Sequence, residues 1–138
     1  MIELQQQPHD DACISACLAM LMGRPVEEVV EEFHHSHFTG LLTITEYLHR
    51  NFITCSQMIA EPQTLLVGKA YLLAVPSLNY PGLNHCIILI IDDWNNEFIF
   101  DPNQGREGKK HYVAHDKDVV LHDELRLRSW IATHEVTL

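Results

Sequence analysis

Positive charge is scarce in this 138-residue chain. Nine Lys and Arg stand against nineteen Asp and Glu, a formal net charge of −10. So acidic a chain repels phosphate backbones, which excludes nucleic acid as an expected partner. Long apolar runs are also missing. The longest, AYLLAV and CIILII, fall far short of the ~20 residues that span a bilayer, so no membrane partner is expected. The N-terminal MIELQQQP lacks a basic region followed by an apolar run, so no signal peptide is read. The expectation is a cytoplasmic protein with reduced thiols, and secretion without a cleaved signal stays open. Six glycines and six prolines, with no low-complexity tract and no internal repeat, exclude fibrous and disordered classes. The cysteines number four: Cys13, Cys17, Cys55 and Cys86. Cys13 and Cys17 lie four apart on one expected helix, where regular geometry disfavours a strain-free bridge.

What is present is enough apolar residue, 46%, to build one core. The length is that of a single domain over residues 1–138, with a helical part at about 1–51 and a sheet part at about 52–138. ACISACLAMLM is apolar nearly all round, so it reads as a buried helix capped by Asp10 or Asp11, ending near Met22 before Gly23 and Pro25. PVEEVVEEF sets Val26, Val29, Val30 and Phe33 opposite four glutamates, an amphipathic surface helix. TITEYLHRN opens with a capping box of Thr43 and Glu46. Runs at 52–59, 70–76, 85–92, 97–101 and 111–115 read as strands. DDWNNE joins the third and fourth as an antiparallel hairpin. A last helix is expected near Asp116 and a closing strand in SWIATHEV. Helices followed by strands predict an α+β fold, the buried first helix packed on an antiparallel sheet.

Cys13 falls in the first turn of that helix. Free N–H groups and the positive dipole end stabilise a thiolate there, whereas Cys17 reads as a small apolar core residue. Asp10 and Asp11 oppose ionisation of Cys13, so a cationic imidazole is needed nearby. His85 begins an apolar strand after the NYPGLN loop, and Asp101 ends the next strand. If the two strands pair, both residues lie at one end of the hairpin, where the carboxylate reaches the imidazole. Each residue alone has an ordinary reading, a strand start or a turn opener. Carbonyl attack also requires oxyanion donors, for which the Cys13 backbone N–H and a glutamine side chain suit. Any of Gln5, Gln6 or Gln7 meets that description; Gln7, six residues before the cysteine, is the choice. The cluster FHHSHF has His34 and His37 three apart but no Cys or carboxylate at ligand spacing, so no metal is assigned. Tyr80, Trp94 and Trp130 are cleft candidates, each with a core or rim alternative. The basic GREGKKH at 105–111 reads as a solvated loop.

The order Gln7, Cys13, Ala16, then His85, then Asp101-Pro102 and Gly105 resembles papain-like cysteine peptidases. It is most similar to the compact bacterial branch related to the leader-cleaving peptidases of bacteriocin exporters. The resemblance implies a central helix against a barrel-like antiparallel sheet. It assigns Cys13 as nucleophile, His85 as general base, Asp101 as its orienter and Gln7 as oxyanion donor. Ile14 stands where that family often has Gly, and Ala12 separates Asp11 from the cysteine. The function expected is hydrolysis of a peptide or amide bond through a Cys thioester, with a peptide or protein as substrate and no cofactor. The same residues serve a glutamine deamidase or an acyltransferase effector. A peptide-binding module without catalysis is the non-enzyme alternative, which intact Cys13, His85 and Asp101 argue against. Substrate and oligomeric state are not legible in the sequence.

Overall fold

The computed structural model describes residues 2–59 and 63–138; Met1 and residues 60–62, which the 1–138 domain range includes, lie outside them. Among the described residues every helix precedes every strand. Helix α1 spans Cys13–Met22 and is buried along Ser15–Leu21, as an all-apolar sequence requires. Gly23 ends it at φ 65°, a left-handed conformation that glycine adopts without Cβ strain. The amphipathic segment runs as α2 (Val26–Val29), a π-helical turn (Val30–His34) and α3 (His35–Phe38). Val26, Val29 and Phe33 face the core while Val30 is half-buried. Helix α4, Ile44–Arg50, has the expected capping box, Thr43 Oγ1 accepting from the Glu46 N–H.

Five strands form one antiparallel sheet in the order β1-β7-β2-β3-β4. They are β1 (Thr54–Gln57), β2 (Lys69–Pro76), β3 (Asn84–Ile91), β4 (Glu97–Phe100) and β7 (Ile131–Thr137). Alternation along the central strands serves two cores. Leu72 and Ile88 pack with α1, α2 and α4 on one face. Tyr71, Leu73, Val75, Ile87 and Leu89 pack on the other against Tyr112 and Leu127. Among the described residues the sheet is thus open, with β1 and β4 at its edges, where the resemblance implied a barrel-like closure. No helix among the described residues is long and apolar enough to cross a membrane.

Two further expectations fail. The stretch after Asp116 is not helical: turns lead into β6 (Glu124–Arg126), which pairs in parallel with β5 (His111–Val113). Arg126 donates to the Lys117 and Asp118 carbonyls at 2.7 and 2.9 Å, claiming acceptors a helix would use. Val119 and Leu121 stay exposed, so there is no apolar face to bury. Neither Asp10 nor Asp11 caps α1; the residue at that position is Ala12, with no side-chain cap. Both carboxylates are engaged elsewhere.

Candidate active site

Cys13 is the first residue of α1, so its N–H and those of the next two residues have no acceptor within the helix. The helix tip meets the start of β3. Register fixes what faces it there. Ile88 pairs with Phe100 across the β3–β4 hairpin; one step further, Asp101 stands opposite Ile87. His85 and Asp101 are then diagonal neighbours on one face of the hairpin. The His85 Nε2–H donates to Asp101 Oδ1 at 2.7 Å, and both side chains are buried.

Asp101 is fully buried and held by backbone. Oδ1 also accepts from the Asn103 N–H at 2.9 Å, and Oδ2 from the Tyr112 N–H at 2.8 Å. A carboxylate with three donors has one orientation, and it fixes the ring plane of His85. Engagement of Nε2 leaves Nδ1 as the ring nitrogen available to the thiol. Cys13 and His85 line the same two cavities, which sets the thiol beside the ring. Burial penalises charge on His85, but the Asp101 carboxylate, then the Cys13 thiol, outweigh it and hold the imidazole up at about 9. Cys17 is different in kind. Burial, reinforced by Cys86, pushes its thiol well above the ordinary range, and it donates to the Cys86 carbonyl at 3.4 Å.

The three glutamines have separate places. Gln5 ties the N-terminal segment to the start of α2, donating to Arg24 O at 2.7 Å and accepting from the Val26 N–H at 2.9 Å. Gln6 is exposed and donates to Gln104 O at 3.3 Å. Gln7 is buried beside Cys13 and His85, held there by its backbone N–H donating to Pro102 O at 2.9 Å. Its side-chain nitrogen donates to the His9 and Asp10 carbonyls at 2.9 and 3.2 Å. Its Oε1 is buried with no partner among the described residues. Both amide protons are therefore occupied, and donating to an oxyanion requires Gln7 to give up one carbonyl.

Beyond these four, the fold gathers residues that spacing does not reveal. Asp10 accepts from the Tyr80 hydroxyl and pairs with Arg106 at 3.2 Å and Lys109 at 3.4 Å. The Tyr80 bond, with those two cations, holds the Asp10 carboxyl below the ordinary range. Asp11 is lowered chiefly by its bond to His9, at 2.5 Å. The acidic pair before the thiol is thus compensated, and the basic loop read as solvated is folded against the site. That loop was the available signal: three cations within five residues of an acidic chain, just after Asp101. Trp94 is exposed in the turn at the far end of the hairpin, and Trp130 packs on the second core, so Tyr80 alone of the three aromatics reaches the site.

On the other side of Cys13 lies a cavity of about 580 Å³, lined by Ile14, Thr43, Ile44, Ala74 and Thr133 among others. His37 and His134 share its wall from opposite ends of the chain. Burial, then the nearby His37, lowers the His134 pKa. His37 stacks on Phe33, whereas His34 packs on Phe38 and reaches Asp11 at 3.5 Å, so the FHHSHF histidines diverge. Among the described residues, no group of three or more His, Cys, Asp or Glu side chains is placed to hold a metal ion. Compared with known proteins, the chain matches no family model, no curated protein and no solved structure.

Proposed function

We propose that this chain is a thiol-dependent hydrolase of papain-like type that cleaves a peptide or carboxamide bond through a Cys13 thioester. The observation that carries the reading is the buried relay. Asp101 holds His85 by Nε2 at 2.7 Å, and Cys13, at a helix N-terminus, lines the same cavities as that ring. An imidazole raised to about 9 carries a proton at neutral pH, and the nucleophile in this reading is the Cys13 sulfur acting as thiolate beside it. The thiolate attacks the carbonyl carbon, and the free Cys13 N–H donates to the oxygen that becomes charged. Collapse expels the nitrogen, which takes its proton from His85. Neutral His85 then takes a proton from water, whose oxygen attacks the thioester; collapse releases the acid and restores the pair. Asp101 keeps the ring in one orientation and stabilises its charge throughout. Gln7 joins as a second oxyanion donor by releasing one local carbonyl.

The test is an acid quench of enzyme mixed with a peptide and carboxamide library, followed by intact-mass analysis. The reading expects an acyl adduct on the peptide bearing Cys13, absent in Cys13→Ala. Turnover without an adduct, undiminished in Cys13→Ala, would sink it.

A further inference from the structure

Two cavities flank the Cys13–His85 pair, and they differ sharply. The one beside α4 and β7 measures about 580 Å³, and the one beside Gln7 about 40 Å³. The smaller holds about three water-sized groups. It is small because three segments are tied together around it. Asp10, in front of α1, bonds Tyr80, Arg106 and Lys109. Asn79 and Lys110 exchange two hydrogen bonds of 3.0 and 2.8 Å between the loops. Arg106 also donates to Asn103 Oδ1 at 2.8 Å, next to the Asp101 turn. A carbonyl carbon bonded to the Cys13 sulfur directs one substituent to each side. The large cavity has no Lys, Arg, Asp or Glu in its lining and suits a methylene chain with attached backbone.

We infer, building on the hydrolase reading above, that the scissile bond is a primary carboxamide, so that the substrate is a glutamine or asparagine side chain and the leaving group is ammonia. The chain of the side-chain acid enters the large cavity and the –NH2 faces the small one. Gln7 forms part of the wall of that space. At about 40 Å³ the space admits an –NH2 but has no room for a secondary amide followed by a further residue. In the reaction the Cys13 sulfur bonds the carboxamide carbon. The C–N bond breaks as the His85 proton passes to nitrogen, and NH3 leaves. Water then adds to the thioester, one of its protons going to His85, and the C–S bond breaks. The sum is R–CONH2 + H2O → R–COOH + NH3, with no change of oxidation state.

The experiment incubates the full chain with a peptide library of mixed sequence and lysine-acetylated members, and reads products by mass spectrometry alongside ammonia release. The inference expects the mass gain of deamidation on Gln or Asn, with stoichiometric ammonia and no new internal termini. Asp10→Ala, which opens the wall, should raise internal peptide cleavage relative to deamidation several-fold. New internal termini as the main wild-type product would overturn the inference and leave the hydrolase reading standing. Loss of acetyl groups from lysine would overturn it too, by putting the small group on the acyl side. Absence of all three products despite rapid alkylation of Cys13 also counts against it. Absence of both products and alkylation would instead overturn the hydrolase reading on which it rests.

Discussion

At the scale of single residues, the site depends on one buried carboxylate doing two things. Asp101 orients His85, and its charge, together with Cys13, outweighs the effect of the ring's burial. Asp101→Asn keeps the shape but removes that charge. Burial then dominates, and the His85 pKa should fall from about 9 towards or below its ordinary 6.5. The alkaline limb of the kcat/KM profile should move to lower pH by a corresponding amount, and an NMR titration of His85 checks the cause. Cys13→Ala should remove turnover altogether and leave the thermal midpoint nearly unchanged, because one sulfur is lost at a cavity wall. A large loss of stability in that variant would assign Cys13 to the core. Cys13, His85 and Asp101 were legible because each sits at an element boundary: the helix start, a strand start and a strand end. What Gln7 donates to was not, since its partners are backbone carbonyls positioned by the turn at 9–12.

At the scale of elements, the hairpin was readable and the capping was not uniformly so. Alternating β-branched runs around DDWNN fix the β3–β4 register, and that register brings Asp101 to His85. Thr43 and Glu46 formed the expected box, each side chain accepting from the other's backbone N–H, whereas Asp10 was drawn away by Tyr80 and two cations. That competition is between residues 70 and 96 apart in sequence, so no local rule detects it. The helix expected near Asp116 failed through a nearer competition, two of its carbonyls being taken by Arg126. Thr43→Ala should destabilise the protein by about 1 kcal/mol through loss of the cap. Because Thr43 and Ile44 line the large cavity, KM should rise more than kcat falls. Chemical denaturation and steady-state kinetics on the same preparation separate the two effects.

At the scale of the whole molecule, the site joins the two halves of the chain. The thiol comes from the helical part, the proposed base and its orienter from the sheet, and the wall of the small cavity from three loops. Composition and patterning give the α+β class. They do not give the insertion of β7 between β1 and β2, which pairs the C-terminal strand with two mid-chain strands and packs Val136 with Leu72 and Ile88 in the core under α1. Linkage makes the buried pair visible in global stability. The folded-state pKa of His85, about 9, exceeds the ordinary 6.5, so the folded state binds the extra proton between those values. The stabilisation is complete below 6.5 and is lost as pH rises through 9, on the order of a few kcal/mol. Thermal midpoints of the wild type should therefore fall across this window, and those of His85→Ala should fall much less. His134, lowered by burial, weakens the fold only as pH drops below the ordinary histidine range and leaves this window untouched.

The most direct measurement is the rate of iodoacetamide alkylation of each cysteine at neutral pH, in wild type and in His85→Ala. The account predicts rapid, single-site modification of Cys13, slowed by orders of magnitude in His85→Ala, with Cys17 unreactive in both. Equal, slow labelling of all four cysteines, or a Cys13 rate indifferent to the loss of His85, would contradict it.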